Sequence, residues 1–104
     1  RATTLAPPML GRKDYKVPGG KLLRVEVEVV DARVKRAAVR GDFFAHPEED
    51  FEAAEAALAG LPVEGLEDMA LSLFSKPSLR IFGASPSDIA LALKAAAYAA
   101  QADR

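Results

Sequence analysis

The clearest pattern in the chain is an alternation of hydrophobic and charged residues between positions 22 and 30. A period of two turns successive side chains to opposite faces of a strand. The segment is therefore predicted to be a strand of an antiparallel sheet, with one buried face and one solvated face. The inward positions are Leu23, Val25, Val27 and Val29, and the outward positions are Arg24, Glu26 and Glu28.

Two shorter segments are the predicted neighbours of this strand. Lys13–Val17 is predicted to be a strand that leads into a type II turn centred on Pro18-Gly19, because proline presets φ at the first central position and glycine accepts a positive φ at the second. Asp31-Ala32-Arg33 is predicted to turn the chain into a third strand, Val34–Arg40.

The third strand contains a change of parity. Val34 does not share the side on which Ala37 and Val39 lie. A β-bulge, which adds one residue to one strand of a pair, restores a common buried face. We therefore predict a bulge near Lys35-Arg36.

Helical periodicity begins at Pro47. Proline suits the first turn of a helix, and the acidic residues at 48–50 favour the positive end of the helix dipole. Gly60 is predicted to end this helix. The predicted buried residues are Phe51, Ala54 and Leu58.

Two further helices are predicted. One runs over Leu66–Phe74 and stops before Pro77, and the other begins with Ser85 as N-cap, Pro86 at the first helical position and Asp88 in a capping box. The buried face of the first is predicted to contain Leu66, Met69, Ala70 and Leu73. That of the second is predicted to contain Ile89, Leu93 and Ala96, widened by Leu91 and Tyr98.

These elements predict an α+β fold, in which about three helices pack on one face of a small antiparallel, hairpin-rich sheet. The short apolar run Leu79–Phe82 is either a strand or a buried connector, and periodicity does not decide between them. Residues 1–12 contain Pro7-Pro8 and no periodicity, so we expect an extended arm there and a single domain over residues 13–104.

The composition excludes several classes of function. Hydrophobic residues make up 50% of the chain and charged residues 28%, which is typical of a folded protein of the cytoplasm. No apolar run reaches the roughly 20 residues of a membrane span. The chain has no cysteine, which removes disulfides, zinc–thiolate sites and iron–sulfur ligation. The net charge of −1 gives no overall basic character that would indicate nucleic-acid binding.

The charge is unevenly distributed. Residues 1–46 carry 10 Lys/Arg and 5 Asp/Glu, a net charge of +5, whereas residues 47–104 carry a net charge of −6. A basic sheet can face an anionic ligand or an acidic partner. The simpler explanation, which we prefer, is that strands and helices carry different solvent-facing charges.

No segment has the pattern of a catalytic centre. Gly19-Gly20-Lys21 lacks the spacing of a phosphate-binding loop, since Tyr15 stands where the first glycine belongs and Leu22 replaces the Ser or Thr. His46, the only histidine, has no Ser or Cys beside it, and the acidic residues of 48–55 are explained as a solvated helix face. We expect no catalytic residue and no metal site in this chain alone. Lys21 can still direct its charge into an anionic site of another protein.

Gly41-Asp42-Phe43-Phe44 predicts a sharp bend followed by two aromatic side chains. Gly41 permits the bend, and Asp42 can bond local backbone amides. One phenylalanine is expected to fill the core. In the functional interpretation the other is exposed and anchors a partner. Both can hold, because adjacent side chains on an extended chain point in opposite directions, but the sequence does not show which phenylalanine is exposed.

Three segments of the chain have a characteristic order and spacing. They are Lys16-Val17-Pro18-Gly19-Gly20-Lys21-Leu22, Gly41-Asp42-Phe43-Phe44 with Pro47-Glu48-Glu49, and Gly83-Ala84-Ser85-Pro86-Ser87-Asp88-Ile89. Through these segments the chain resembles, from about Tyr15 to about Leu93, the accessory, or C-terminal, domain of lipoate–protein ligases. One departure is Asp31-Ala32-Arg33, where the family often has a turn of the Asp-Gly type.

The resemblance implies a non-catalytic accessory subunit of a heteromeric lipoate–protein ligase. Such a subunit binds a catalytic subunit, which uses ATP and Mg²⁺ to convert lipoate into lipoyl-adenylate and then passes the lipoyl group to a lysine of an acceptor domain. ATP, Mg²⁺ and lipoate then belong to the complex, and this chain alone binds no cofactor. The candidate residues for partner binding or activation are Lys16, Gly19, Gly20, Lys21, Gly41, Asp42, Phe43 and Phe44.

The alternatives belong to other classes. Sulfur-acceptor proteins of iron–sulfur assembly share a similar α+β shape with this accessory domain, but they need a reactive cysteine, so a relative without cysteine is at most a scaffold or regulator. A generic protein-interaction module is the third possibility. ATP-dependent lipoylation on addition of a catalytic subunit separates the first hypothesis from both others.

Overall fold

The computed structural model describes residues 7–102 and confirms the predicted α+β class. Three helices accompany two antiparallel sheets. In chain order the elements are β1 (Met9–Lys16), β2 (Leu22–Val30), β3 (Arg33–Gly41), β4 (Phe44–His46), α1 (Glu48–Ala56), α2 (Leu66–Phe74), β5 (Arg80–Phe82) and α3 (Pro86–Ala102). None of the helices in residues 7–102 has the length and apolar character needed to cross a bilayer.

The larger sheet has the order β1-β2-β3, with both pairs antiparallel. Its middle strand buries every residue that the alternation assigned to the core (Leu23, Val25, Val27 and Val29). β1 begins at Met9, four residues before the predicted start at Lys13, so residues 9–12 of the predicted arm are paired with β2. The alternation is weak there because β1 is an edge strand with a glycine on its buried side. Residues 1–6 of that arm lie outside the described residues.

Both hairpins of the larger sheet have the predicted turns. The Gly20 amide donates to the Val17 carbonyl oxygen at 3.0 Å, and Gly19 has φ of 101°, which confirms a type II turn. In the second turn, Asp31 and Ala32 have φ of 52° and 62°, so both central residues take the positive φ of a type I′ turn.

The predicted bulge is confirmed. Glu28 pairs with Arg36 and the next residue, Val29, pairs with Val34, so Lys35 is the extra residue of β3. The bulge lets Val34 and Val39 both reach the buried face despite their opposite parity.

Helix α3 lies directly on β1 and β2, and a glycine makes this contact possible. A Cβ built on Gly11 would overlap the Ala96 carbonyl oxygen and lie 2.6 Å from the Ala100 nitrogen. The alanines of α3 allow this close approach. Ile89, Leu93 and Ala96 are buried as expected, but Leu91 and Tyr98 were wrongly assigned to the core and are exposed. Small residues suffice to fill the narrow gap between helix and sheet, so the larger ones lie outside it.

Helix α2 packs against α3 instead of the sheet, and its buried face differs from the prediction. Met69 is exposed and Leu73 is only partly buried, whereas Phe74 is fully buried. The buried positions Leu66, Ala70 and Phe74 are spaced by four residues, which forms one stripe along a helix. An aromatic contact with Phe51 of α1, with ring centroids 5.1 Å apart, draws Phe74 inward.

The segment between Gly41 and the start of α3 contains a second, two-stranded sheet. β5 occupies most of the apolar run that periodicity left undecided and pairs antiparallel with β4. Helix α1 begins after β4 and buries Phe51 and Ala54, and Leu58 is buried in the turn after it, as predicted. The regular helix ends at Ala56, and Gly60 closes the following turn with φ of 90°.

Candidate functional site

Three separate segments of the chain meet at one end of the larger sheet. The β1–β2 turn lies beside the end of β3, where the Asp42 amide donates to the Leu22 carbonyl oxygen at 3.0 Å. The loop before α3 touches the same place, because Gly83 packs against Asp42 and Phe43. A shallow groove separates the turn residues Val17–Lys21 from the loop residues Gly83–Pro86. The segments that resemble the ligase family are therefore neighbours in space.

Two glycines make this convergence possible. Gly41 has φ of 148°, and a Cβ there would overlap the Leu22 carbonyl oxygen. Gly83 has φ of 100°, and its Cβ would lie 2.8 Å from the Asp42 carbonyl oxygen. Gly19 and Gly20 face open space, so they are needed for their positive φ and not for room.

The two adjacent phenylalanines have opposite environments. Phe43 is partly buried and its ring lies 5.2 Å from that of Phe51, as measured between centroids. Phe44 is 78% exposed. The structure thus answers the question that the sequence left open: Phe43 joins the core and Phe44 faces solvent.

Phe44 has an exposed aromatic neighbour that is not evident from the sequence. In the β4–β5 pair, Phe44 is directly opposite Phe82, which is 55% exposed. The next outward-facing pair is His46 opposite Arg80, and both of these residues are exposed. No local signal identifies Phe82, because its position depends on pairing with Phe44, a residue far away in the sequence.

The outer face of the larger sheet carries basic residues whose charge is compensated only at one end. Away from the β1–β2 turn, Glu26 and Glu28 form ion pairs with Arg12 and Arg36. Near the turn, no carboxylate within residues 7–102 approaches closer than 4.0 Å to Lys16, Lys21 or Arg24. Arg24 is paired across the sheet with Asp14 on one side and Arg40 on the other, and Arg40 forms its ion pair with Glu55. Lys16 and Lys21 therefore form no ion pair with any carboxylate of residues 7–102.

The start of α3 is fixed by a capping box that also binds β1. The Asp88 amide donates to Ser85 Oγ at 3.0 Å, and the Ser85 amide donates to Asp88 Oδ2 at 2.9 Å. The Tyr15 hydroxyl donates to Asp88 Oδ1 at 3.3 Å. Burial and, secondly, the Asp88 carboxylate raise the pKa of Tyr15 above its usual value of 10.0. This network holds the Gly83–Pro86 loop beside the β1–β2 turn.

The exposed groups at this site are suited to contact with a partner. Within residues 7–102, no group of three or more Asp, Glu or His side chains is arranged to hold a metal ion. The site combines turns that depend on glycine, two lysines without an ion pair among the described residues, and an exposed aromatic pair. Aromatic residues, phenylalanine included, are enriched in protein–protein interfaces.

The chain is similar to a chain of a solved structure. It belongs to an archaeal lipoylation system, a bi-partite lipoate protein ligase and its E2 lipoyl domain from Thermoplasma acidophilum. The TM-score is 0.71 and the sequence identity is 27%, with 83% of this chain and 96% of that chain covered. No protein-family model matches the chain, and no curated protein matches it in sequence. The similarity agrees with the resemblance seen in the sequence at the level of a lipoylation system.

Proposed function

We propose that this chain is the accessory subunit of a heteromeric lipoate–protein ligase. The observation that carries the proposal is the similarity to a chain of the bi-partite ligase system, because it extends over 96% of that chain at 27% identity. The convergence of the three resembling segments at one end of the sheet gives independent support. In this role the chain works in the cytoplasm, binds the catalytic subunit and is not catalytic alone.

The chemistry of adenylation explains why such a subunit is needed. Lipoate activation brings a carboxylate against a phosphate of ATP, so the reaction requires positive charge and exclusion of water. We infer that the β1–β2 turn supplies the charge, with Lys21 directed at the phosphates and Lys16 beside it. The rigid turn, built on Gly19 and Gly20, would fix the position of that charge. ATP, Mg²⁺ and lipoate are held in the assembled complex, which then transfers the lipoyl group to a lysine of an acceptor domain.

The proposal is tested by lipoyl-adenylate formation with a catalytic subunit from the same organism. ATP, Mg²⁺ and lipoate are supplied, and the adenylate is quantified with and without this chain. We expect adenylate to form efficiently only when both subunits are present. If this chain neither binds the catalytic subunit nor changes the rate, the accessory role is wrong and a scaffold or generic interaction module replaces it.

The role of Lys21 is tested in the same assay with a matched control. Lys21→Ala should lower adenylate formation by about a hundredfold to a thousandfold, the range found when one donor that stabilises transition-state charge is removed. Lys35 is the control, because it is exposed at the bulge of β3, away from the turn. Lys35→Ala should leave the rate unchanged. Equal rates for both variants would show that Lys21 has no part in activation.

A further inference from the structure

The outer face of the β4–β5 sheet has the composition of an anchoring surface. It presents four exposed side chains in two cross-strand pairs, Phe44 opposite Phe82 and His46 opposite Arg80. The intervening residues, Ala45 and Ile81, are partly buried against the core. We refer to the four exposed residues as the ribbon face.

The ribbon face is unusual because two aromatic side chains are exposed on a very small sheet. Each strand has only three residues, and two-stranded sheets are marginal in water unless one face is covered. The inner face is covered by the domain itself. The outer face leaves Phe44 78% and Phe82 55% exposed, side by side. Neighbouring exposed aromatic residues of this kind mark interaction sites more often than isolated ones do.

The charges around the ribbon face define its partner's chemistry. No carboxylate within residues 7–102 lies within 4.0 Å of Arg80, which is roughly 7 Å along the strand from Phe82. Phe44 also lines a groove of about 300 Å³ between the sheet and α1, whose charged lining residues are Arg40, Glu48, Glu52 and Glu55, with Arg40 and Glu55 paired to each other. A complementary partner therefore has an apolar ridge with a carboxylate facing Arg80 and a basic side chain facing Glu48 and Glu52.

We propose that the ribbon face is the surface by which this chain binds the catalytic ligase subunit, through an apolar ridge of that subunit flanked by a carboxylate opposite Arg80. The proposal rests on the proposed function and assigns separate roles to two surfaces of the chain. The ribbon face provides affinity, and the basic β1–β2 turn provides activation. Phe82, Arg80 and His46 become binding residues that the sequence did not indicate.

The test compares two matched pairs of substitutions in the full chain. The ribbon variant is Phe44→Ser with Phe82→Ser, and the control is Leu91→Ser with Tyr98→Ser, which removes two exposed apolar side chains from α3. Dissociation constants for the catalytic subunit are measured by calorimetry, and circular dichroism verifies that each variant is folded. We expect the ribbon variant to bind at least about tenfold more weakly and the control to bind within about twofold of the parent chain.

Two further measurements make the assignment specific. Arg80→Glu, which removes no apolar contact, should weaken binding several-fold, with a smaller effect at high salt because the charge interaction is screened. In the adenylate assay, saturating amounts of the ribbon variant should restore the full rate. Lys21→Ala should instead bind normally and remain slow at saturation.

The outcomes separate this inference from the proposed function. If the parent chain binds and the ribbon variant binds equally well, the ribbon face is not the interface, although the accessory role stands. If the parent chain itself does not bind the catalytic subunit, both proposals are wrong. If the parent chain alone is a dimer in gel filtration and the ribbon variant is a monomer, the occupant is a second copy and the assignment is overturned.

Discussion

Among single residues, Ala32 has the least favourable backbone conformation for its type. It lies in the β2–β3 turn with φ of 62°, where the side chain of any L-residue other than glycine is crowded. The turn is nevertheless held in place, because the Val63 amide donates to the Ala32 carbonyl oxygen at 2.9 Å and Arg33 Nη1 donates to the Gly60 carbonyl oxygen at 2.8 Å. The surrounding hydrogen bonds thus maintain a conformation that the residue itself disfavours.

Ala32→Gly is therefore expected to stabilise the protein. Relief of the crowding should exceed the extra chain entropy of glycine and raise the free energy of unfolding by about 0.5–1 kcal/mol. Urea denaturation provides the measurement. Ala38→Gly, on the extended strand β3, is the control and should lower the free energy of unfolding by a similar amount. A loss of stability in Ala32→Gly would show that the turn is not strained.

Tyr15 allows a test of the contact between β1 and the start of α3. Burial and the Asp88 carboxylate favour the neutral phenol, so its pKa in the folded protein is above 10.0. A group whose pKa is raised by folding adds stability below its unfolded pKa, and that stability is lost as the pH rises through the folded pKa. Stability from Tyr15 should therefore decline only above about pH 10.

Absorbance titration at 295 nm measures this pKa directly. The chain has two tyrosines, so Tyr98→Phe leaves Tyr15 as the only titrating phenol. The midpoint should lie above 10 in the folded protein and fall towards 10 in guanidinium chloride. Asp88→Asn should lower the midpoint in the folded protein. An unchanged midpoint in Asp88→Asn would contradict the contribution of the carboxylate.

At the scale of elements, Gly11 determines how closely α3 approaches the sheet. A methyl group at this position meets backbone atoms of Ala96 and Ala100, which cannot rotate away as a side chain could. Gly11→Ala should force α3 outward and destabilise the protein by about 2–3 kcal/mol, as expected of overpacking in a core. Thermal and urea unfolding would measure the loss.

The control for Gly11→Ala is its neighbour on the opposite face of β1. Leu10 is substantially exposed, so Leu10→Ala should change the free energy of unfolding by no more than about 0.5 kcal/mol. If both variants have the same stability, α3 is free to shift and Gly11 does not limit the packing.

The elements that could be predicted from the sequence are those with local signals. Three such features are present: the alternation of β2, the Pro18-Gly19 turn and the capping box of α3. The residues that form each of them are only a few positions apart in the sequence. The bulge at Lys35 followed from parity alone. Each of these features depends on contacts that the nearby sequence determines.

The errors arose where distant contacts decide the structure. Leu91 has the spacing of a buried helix residue, but alanines fill the narrow space between α3 and the sheet and leave this larger side chain outside. Met69 is exposed because α2 packs against α3 through Leu66, Ala70 and Phe74. Residues Met9–Arg12 have no alternation, yet pairing with β2 makes them a strand. Phe82 joined the candidate site only through pairing with β4, which no periodicity predicts for three-residue strands.

At the scale of the whole molecule, the free energy of local unfolding is expected to differ between regions. The three-stranded sheet and α3 share a continuous buried core, whereas the β4–β5 ribbon has three residues per strand and one exposed face. Regions with few buried apolar contacts open with a lower free energy than the core does. Backbone amides of residues 44–46 and 80–82 should therefore exchange hydrogen faster than those of β2 in the free chain.

Binding at the ribbon face should slow hydrogen exchange in β4 and β5. Covering the aromatic pair orders the ribbon, so its amides should exchange at least about tenfold more slowly in the presence of the catalytic ligase subunit, while β2 changes little. Hydrogen exchange followed by mass spectrometry provides the measurement, with an equal concentration of serum albumin as the control for crowding. Protection confined to the exposed side of α3, around Leu91 and Tyr98, would place the interface on that helix instead. Protection at the ribbon face that disappears in Phe44→Ser with Phe82→Ser would connect the exposed aromatic pair to assembly of the ligase.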